Sequence, residues 1–136
     1  MTESPARLRE HLQDKNEAAA ALFLQFRQAA LEAGEEVEEK VSKSMVAWKR
    51  RRTFATAYVK GKYLECSIDL LRQVKHVHLK AAFHTTKRVV THSFTLEPGE
   101  EIDADIRSRL KEAFGEVGAG TAKNARSSSG LAWTVS

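Results

Sequence analysis

Phe54-Ala55-Thr56-Ala57-Tyr58-Val59-Lys60-Gly61-Lys62-Tyr63-Leu64-Glu65-Cys66-Ser67-Ile68 is the stretch whose reading decides the fold. Its side chains alternate with a period of two and include β-branched and aromatic residues, which is the pattern of a strand with two unlike faces. Ala55, Ala57 and Val59 share one face, with Phe54, Thr56 and Tyr58 on the other, and Leu64, Cys66 and Ile68 stand together in the second half. Lys60-Gly61-Lys62 interrupts the alternation where a tight hairpin turn would join the two strands. One face of such a ribbon must be covered by other elements.

Outward from this hairpin, Met45 to Trp48 reads as a preceding strand and Val89 to Leu96 as a following one, giving an antiparallel sheet of about four strands. Asp69 to Arg88 carries no clear period. Before the sheet, Ser4-Pro5 starts a short helix, and Asp14 with Glu17 three residues on has capping-box spacing ahead of an Ala- and Leu-rich run. Ala19, Leu22, Phe23, Phe26 and Ala30 recur at threes and fours, a helical stripe, with Gly34 in place to close the helix as its C′ residue. After Glu97-Pro98-Gly99, acidic residues precede Ile102, Ile106, Leu110, Ala113 and Phe114, the buried side of a last helix that Gly115 would stop. The expected fold is α+β: N-terminal helices, the sheet, and a C-terminal helix packed on one face. Residues 1–13 read as a helical extension, 14–115 as a single domain, and 116–136 as a flexible Gly-, Ala- and Ser-rich tail.

Charge is partitioned along the chain. Residues 40–92 hold thirteen Lys and Arg against Glu65 and Asp69, a net +11, whereas residues 1–39 carry −5 and residues 93–136 carry −2. A block of one sign adds its potentials over one surface and suits an anionic partner. The apolar run Ala18 to Phe26 is too short to cross a bilayer, no secretory leader is evident, and a lone Cys66 forms no internal disulfide, so a cytoplasmic protein without a membrane partner is expected.

Val41-Ser42-Lys43-Ser44-Met45-Val46-Ala47-Trp48 and Arg51-Arg52-Thr53-Phe54-Ala55, then Thr91-His92 before Phe94, and Glu101-Ile102-Asp103 leading to Leu110-Lys111-Glu112-Ala113-Phe114, carry a likeness. Together they resemble domain of unknown function 5655 over about Leu22 to Phe114. The resemblance implies a compact α+β domain similar in outline to the YjbR- and MmcQ-like proteins. Related domains occur beside nuclease-like modules or under the label of predicted transport protein, and none supplies a catalytic residue to carry over. Where the family often has a second histidine after the one matched by His92, this chain has Ser93.

Lys49-Arg50-Arg51-Arg52 would radiate from the turn between two strands, and Lys43, Lys60 and Lys62 would extend that patch if all the turns lay at one end of the sheet. Guanidinium groups hold phosphates in bidentate fashion, and each phosphate neutralised releases counterions. The plainer alternative is a solvated turn paired with acidic helices of the same domain. Trp48, Tyr58 and Tyr63 offer stacking platforms for unpaired bases, or else ordinary packing. His76, His78, His84 and His92 lack the cysteine or carboxylate spacing of a metal site, so neither a metal nor another cofactor is expected.

Cys66 sits on an apolar alternating face, and no nucleophile elbow, phosphate loop or zinc-protease motif is present, so an enzyme is not expected. The leading expectation is therefore a non-catalytic domain that binds an anionic partner, nucleic acid foremost, through non-specific phosphate contacts. Its rivals are a self-assembling domain that pairs acidic and basic faces into homo-oligomers, and a small-ligand pocket lined by Tyr58, Tyr63 and His92.

Overall fold

The computed structural model describes residues 5–120. Three helices, α1 (Pro5–Leu12), α2 (Glu17–Leu31) and α3 (Ala104–Glu116), accompany six strands: β1 (Glu38–Val41), β2 (Val46–Lys49), β3 (Thr53–Lys60), β4 (Tyr63–Leu70), β5 (Leu79–His84) and β6 (Val90–Leu96). All six pair antiparallel in one sheet of order β1-β2-β3-β4-β6-β5. The α+β class stands, but four strands is an undercount. The two strands missed are the sheet's edges. In β1 one of the two buried alternating positions is Glu39 rather than a hydrocarbon, which leaves only Val41 to mark the period, and β5 hides only one side of itself and needs little apolar surface.

The core lies between the sheet's inner face and the two longer helices. Ala55, Ala57 and Val59 of β3, Leu64, Cys66 and Ile68 of β4, and Phe94 and Leu96 of β6 are buried there against Phe23 and Phe26 of α2 and Ile106 and Leu110 of α3. Phe54 is buried as well, contrary to strict alternation. A bulge explains it: Trp48 pairs with Ala55 and Lys49 with Thr53, so Phe54 is the extra residue and turns inward against Phe114, ring edge to face at 5.7 Å.

Helix ends also differ from the reading of the sequence. Asn16, not Asp14, caps α2, its side chain accepting from Ala19 N–H at 3.0 Å, while Asp14 adopts a left-handed φ of 64° in the preceding turn. Glu32 ends α2, so Gly34 is not its C′ residue. Gly34 instead makes room for Phe114, whose ring would lie 2.1 Å from a Cβ at that position. Helix α3, capped by Asp103, runs through Gly115 to Glu116, and Val117 is fully buried. The carbonyl of Gly118 then accepts from the backbone N–H groups of Arg51 and Arg52 at 2.7 and 3.2 Å, which fixes the β2–β3 turn. The Ser- and Gly-rich run from Ser127 expected to be flexible lies outside the described residues. No helix among the described residues is long and apolar enough to cross a membrane.

Candidate functional site

Antiparallel connectivity divides the basic turns between two ends of the sheet. The β1–β2 turn with Lys43 and the β3–β4 turn with Lys62 lie at one end, and the β2–β3 turn with Arg50, Arg51 and Arg52 lies at the other. The seven basic residues named from the sequence therefore do not form one patch around the turns. Lys43 lines a cavity of about 510 Å³ beneath α1 with Arg7, His11 and Lys15. The arginines are partly engaged by their own domain: the Arg50 guanidinium sits 4.8 Å from the centre of the Phe114 ring, and Arg52 lies 3.9 Å from Asp69. A second cavity of about 510 Å³ brings Glu35 and Glu36 beside Arg50 and Arg51. Acidic side chains thus stand near the basic turn, Glu35 and Glu36 from the connection after α2 and Asp69 from β4, none of them from a helix.

The larger feature is the outer face of the sheet. Alternation turns Lys40, Lys49, Thr56, Tyr58, Lys60, Glu65, Ser67, Asp69, Thr91, Ser93 and Thr95 away from the helices, and no described element covers them. The hydrogen bonds confirm this common face: Thr56 with Ser67 at 2.6 Å, Thr91 Oγ1 to Asp69 at 2.8 Å, and Thr95 Oγ1 to Glu65 at 3.0 Å. A second bulge, between Leu79 and Ala81, swings Lys80 onto it, 3.8 Å from Glu65.

Two of the face's carboxylates are consequently occupied. Glu65 is held by Thr95 and Lys80, and Asp69 by Thr91 and Arg52, with burial pushing the Asp69 pKa up despite both partners. Lys40, Lys49, Lys60 and Lys62 form no ion pair with any described residue. Two exposed rings border the same face, Tyr63 at 42 % and Phe83 at 53 % exposure, and Tyr58 lies half-buried on it. Lys40, Lys80 and Phe83 were missed because they belong to the two edge strands that were missed. The signal for the face was present in Thr56, Tyr58, Ser67 and Ser93, polar residues at every second position.

Trp48 has no part in this surface. It is fully buried between Phe23 and Phe26 at ring separations of 6.1 and 5.6 Å, and its Nε1–H donates to Glu39 at 2.9 Å. Glu39, 1 % exposed, is clasped by Arg27 at 2.8 Å.

The proposed trio of Tyr58, Tyr63 and His92 is also split, since the tyrosines face outward and His92 is fully buried on the core side. Its Nε2 accepts from Val74 N–H at 3.0 Å, which leaves the proton on Nδ1, 3.3 Å from the Ile68 carbonyl, and burial lowers its pKa.

His76 and His78 stand side by side, rings 5.4 Å apart, but His76 binds Asp103 at 2.9 Å and His78 faces Glu100 at 3.4 Å. Burial opposes the charge on Asp103, yet the Ile106 N–H and His76 outweigh it and hold the carboxyl below its usual range. These contacts tie the segment before β5 to the start of α3. Among the described residues no group of three or more His, Cys, Asp or Glu is arranged to hold a metal. Cys66 is buried, and burial pushes its thiol pKa well up, which keeps it protonated and unreactive.

The family model for a domain of unknown function, DUF5655, matches residues 9–116, from within α1 to the last residue of α3. The chain belongs to this family. The match takes in every strand of the sheet and so the whole uncovered face. No curated protein and no solved structure matches the chain, and the likeness in outline to YjbR- and MmcQ-like proteins gains no support.

Proposed function

We propose that this DUF5655 protein is a non-catalytic, cytoplasmic binding domain that takes nucleic acid on the uncovered face of its sheet. The observation that carries the reading is the charge state of that face: Lys40, Lys49 and Lys60, with Lys62 in the adjoining turn, form no ion pair with a described residue, while Glu65 and Asp69 are held internally and Glu38, opposite Lys49, is the one further carboxylate among the described strands of the face. Free cations in a polar, shallow setting attract phosphates without the desolvation penalty of a buried site. Affinity of this kind comes from counterion release and carries little base specificity. Lys40, Lys49 and Lys60 on the face and Lys62 in the adjoining turn, rather than the Arg50–Arg52 turn, carry the phosphate contacts, with Arg52 and Lys80 at the margin. Replacing Lys49 and Lys60 by Glu should abolish binding of labelled DNA or RNA oligomers measured by fluorescence anisotropy at 50 mM salt. Wild-type affinity in that double variant would refute the reading.

One observation favours assembly as a second reading. Strand β5 leaves one edge unpaired among the described residues, and next to it Val77 is 83 % and Phe83 53 % exposed. Such an edge can accept a strand from another chain. A mass by light scattering that rises with concentration would support it, and a constant monomer mass would dismiss it.

A further inference from the structure

The uncovered face has a relief that charge alone does not describe. Lys40, Ala47, Thr56, Ser67, Ser93 and Ala81 are successive cross-strand partners, so they form one row perpendicular to the strands from one edge of the sheet to the other. Every member except Lys40 at the end is Ala, Ser or Thr. Five inter-strand steps of roughly 4.8 Å make the row about 24 Å long. The rows on either side are taller. On one side Tyr58, Glu65 and Thr95 are successive partners, with Lys80 reaching over Glu65; on the other stand Asp69, Thr91 and Phe83, with Arg52 reaching Asp69. From β2 to β5 a floor of small uncharged side chains runs between walls bearing rings and the pairs Lys80–Glu65 and Arg52–Asp69, a trough that crosses five strands and ends at Lys40 on the sixth.

We infer that this trough is a track for a single strand of nucleic acid, lying across the β-strands with its bases against Tyr58 and Phe83. The inference rests on the proposed function and adds the form of the nucleic acid and its path. A duplex keeps its bases stacked inside and would offer this face its phosphates alone, since no described element projects from the face to enter a groove. An unpaired strand can lie flat on a sheet, where its bases find exposed rings and its phosphates find flanking lysines. Tyr58 and Phe83 stand on opposite walls, three strands apart across the sheet and four residues apart along it, roughly 20 Å in all, which fits bases a few nucleotides apart as the backbone crosses the floor.

The test compares a labelled 12-nucleotide single strand with a duplex of the same sequence, by anisotropy at 50 mM salt, for the full chain and two variants. Ser93→Ile fills the floor without changing charge, and Phe83→Ala removes an exposed ring whose loss leaves the core intact. The single strand should bind at least tenfold more tightly than the duplex. Ser93→Ile should cut single-strand affinity at least tenfold while moving duplex affinity less than twofold, and Phe83→Ala should cut single-strand affinity about fivefold or more, the lower end of one lost base stack. Equal affinity for the two forms, or wild-type single-strand binding by both variants, would overturn the trough and leave the basic face standing. Binding of neither form at 50 mM salt would overturn both.

Discussion

The salt dependence of nucleic-acid binding can be worked from the face itself. Lys40, Lys49, Lys60 and Lys62 are without ion-pair partners among the described residues, whereas Arg52 and Lys80 lie 3.9 and 3.8 Å from Asp69 and Glu65. A group already neutralised by the protein releases few counterions when a phosphate arrives, so about four contacts set the slope. For a single strand, the logarithm of affinity should fall with the logarithm of salt at a slope of roughly −0.7 per contact, or about −2.8. Between 50 and 200 mM salt that is a loss of about 50-fold, close to 2.3 kcal/mol. Lys40→Ala and Lys60→Ala should each flatten the slope by about 0.7, whereas Arg52→Ala should flatten it by much less. Anisotropy titrations at four salt concentrations decide the matter. A slope shallower than about −1 for the wild type, or one unmoved by the lysine substitutions, would refute the assignment of these four lysines as the phosphate contacts.

Other expectations concern the frame that holds the face in place. Arg27→Met leaves the carboxylate of Glu39, 1 % exposed, without its countercharge, and should cost about 3 kcal/mol in a urea titration; adding Glu39→Gln, which keeps an acceptor for Trp48, should return at least a third of that loss. Burial lowers the pKa of both His11 and His92, so the unfolded chain takes up these protons first as pH falls below about 6.5. The stability these neutral histidines contribute is complete above that value and is lost as pH drops through their folded-state pKa values. Urea midpoints should therefore decline from pH 7.5 to 5, and a flat profile would count against the neutral, bonded state of His92. Gly34→Ala places a methyl group within 2.1 Å of the Phe114 ring, a clash worth about 1–3 kcal/mol, and Phe114→Leu should relieve part of it when the two stability losses are compared singly and together.

Much of this architecture is legible in the chain because it is local. The period of two in Phe54–Ile68 and the spacing of Leu22, Phe23 and Phe26 are short-range patterns, and each follows from which side of one element must leave water. Family membership rests on a match over residues 9–116, and the stretches that carried the likeness, such as Val41–Trp48 and Glu101-Ile102-Asp103, are local too. What escaped is what depends on partners distant in the sequence. Glu39 reads as one more charge in an acidic run until Arg27 and Trp48 enclose it, and Trp48 reads as a possible stacking ring until Phe23 and Phe26 cover it. Strand β5 has no apolar period of its own and exists because β6 offers it an edge.

The amino-acid sequence alone determined that there would be a hairpin-centred sheet backed by helices, and that basic residues would concentrate in it. Only the tertiary structure decided how those charges are shared. Antiparallel pairing sends successive turns to opposite ends, which separates Lys43 and Lys62 from Arg50–Arg52, and it aligns Ala47, Thr56, Ser67 and Ser93 from four strands into one row. The physical reason is that alternation fixes the face on which a side chain stands, while strand order and register, set by contacts far apart in the chain, fix its neighbours.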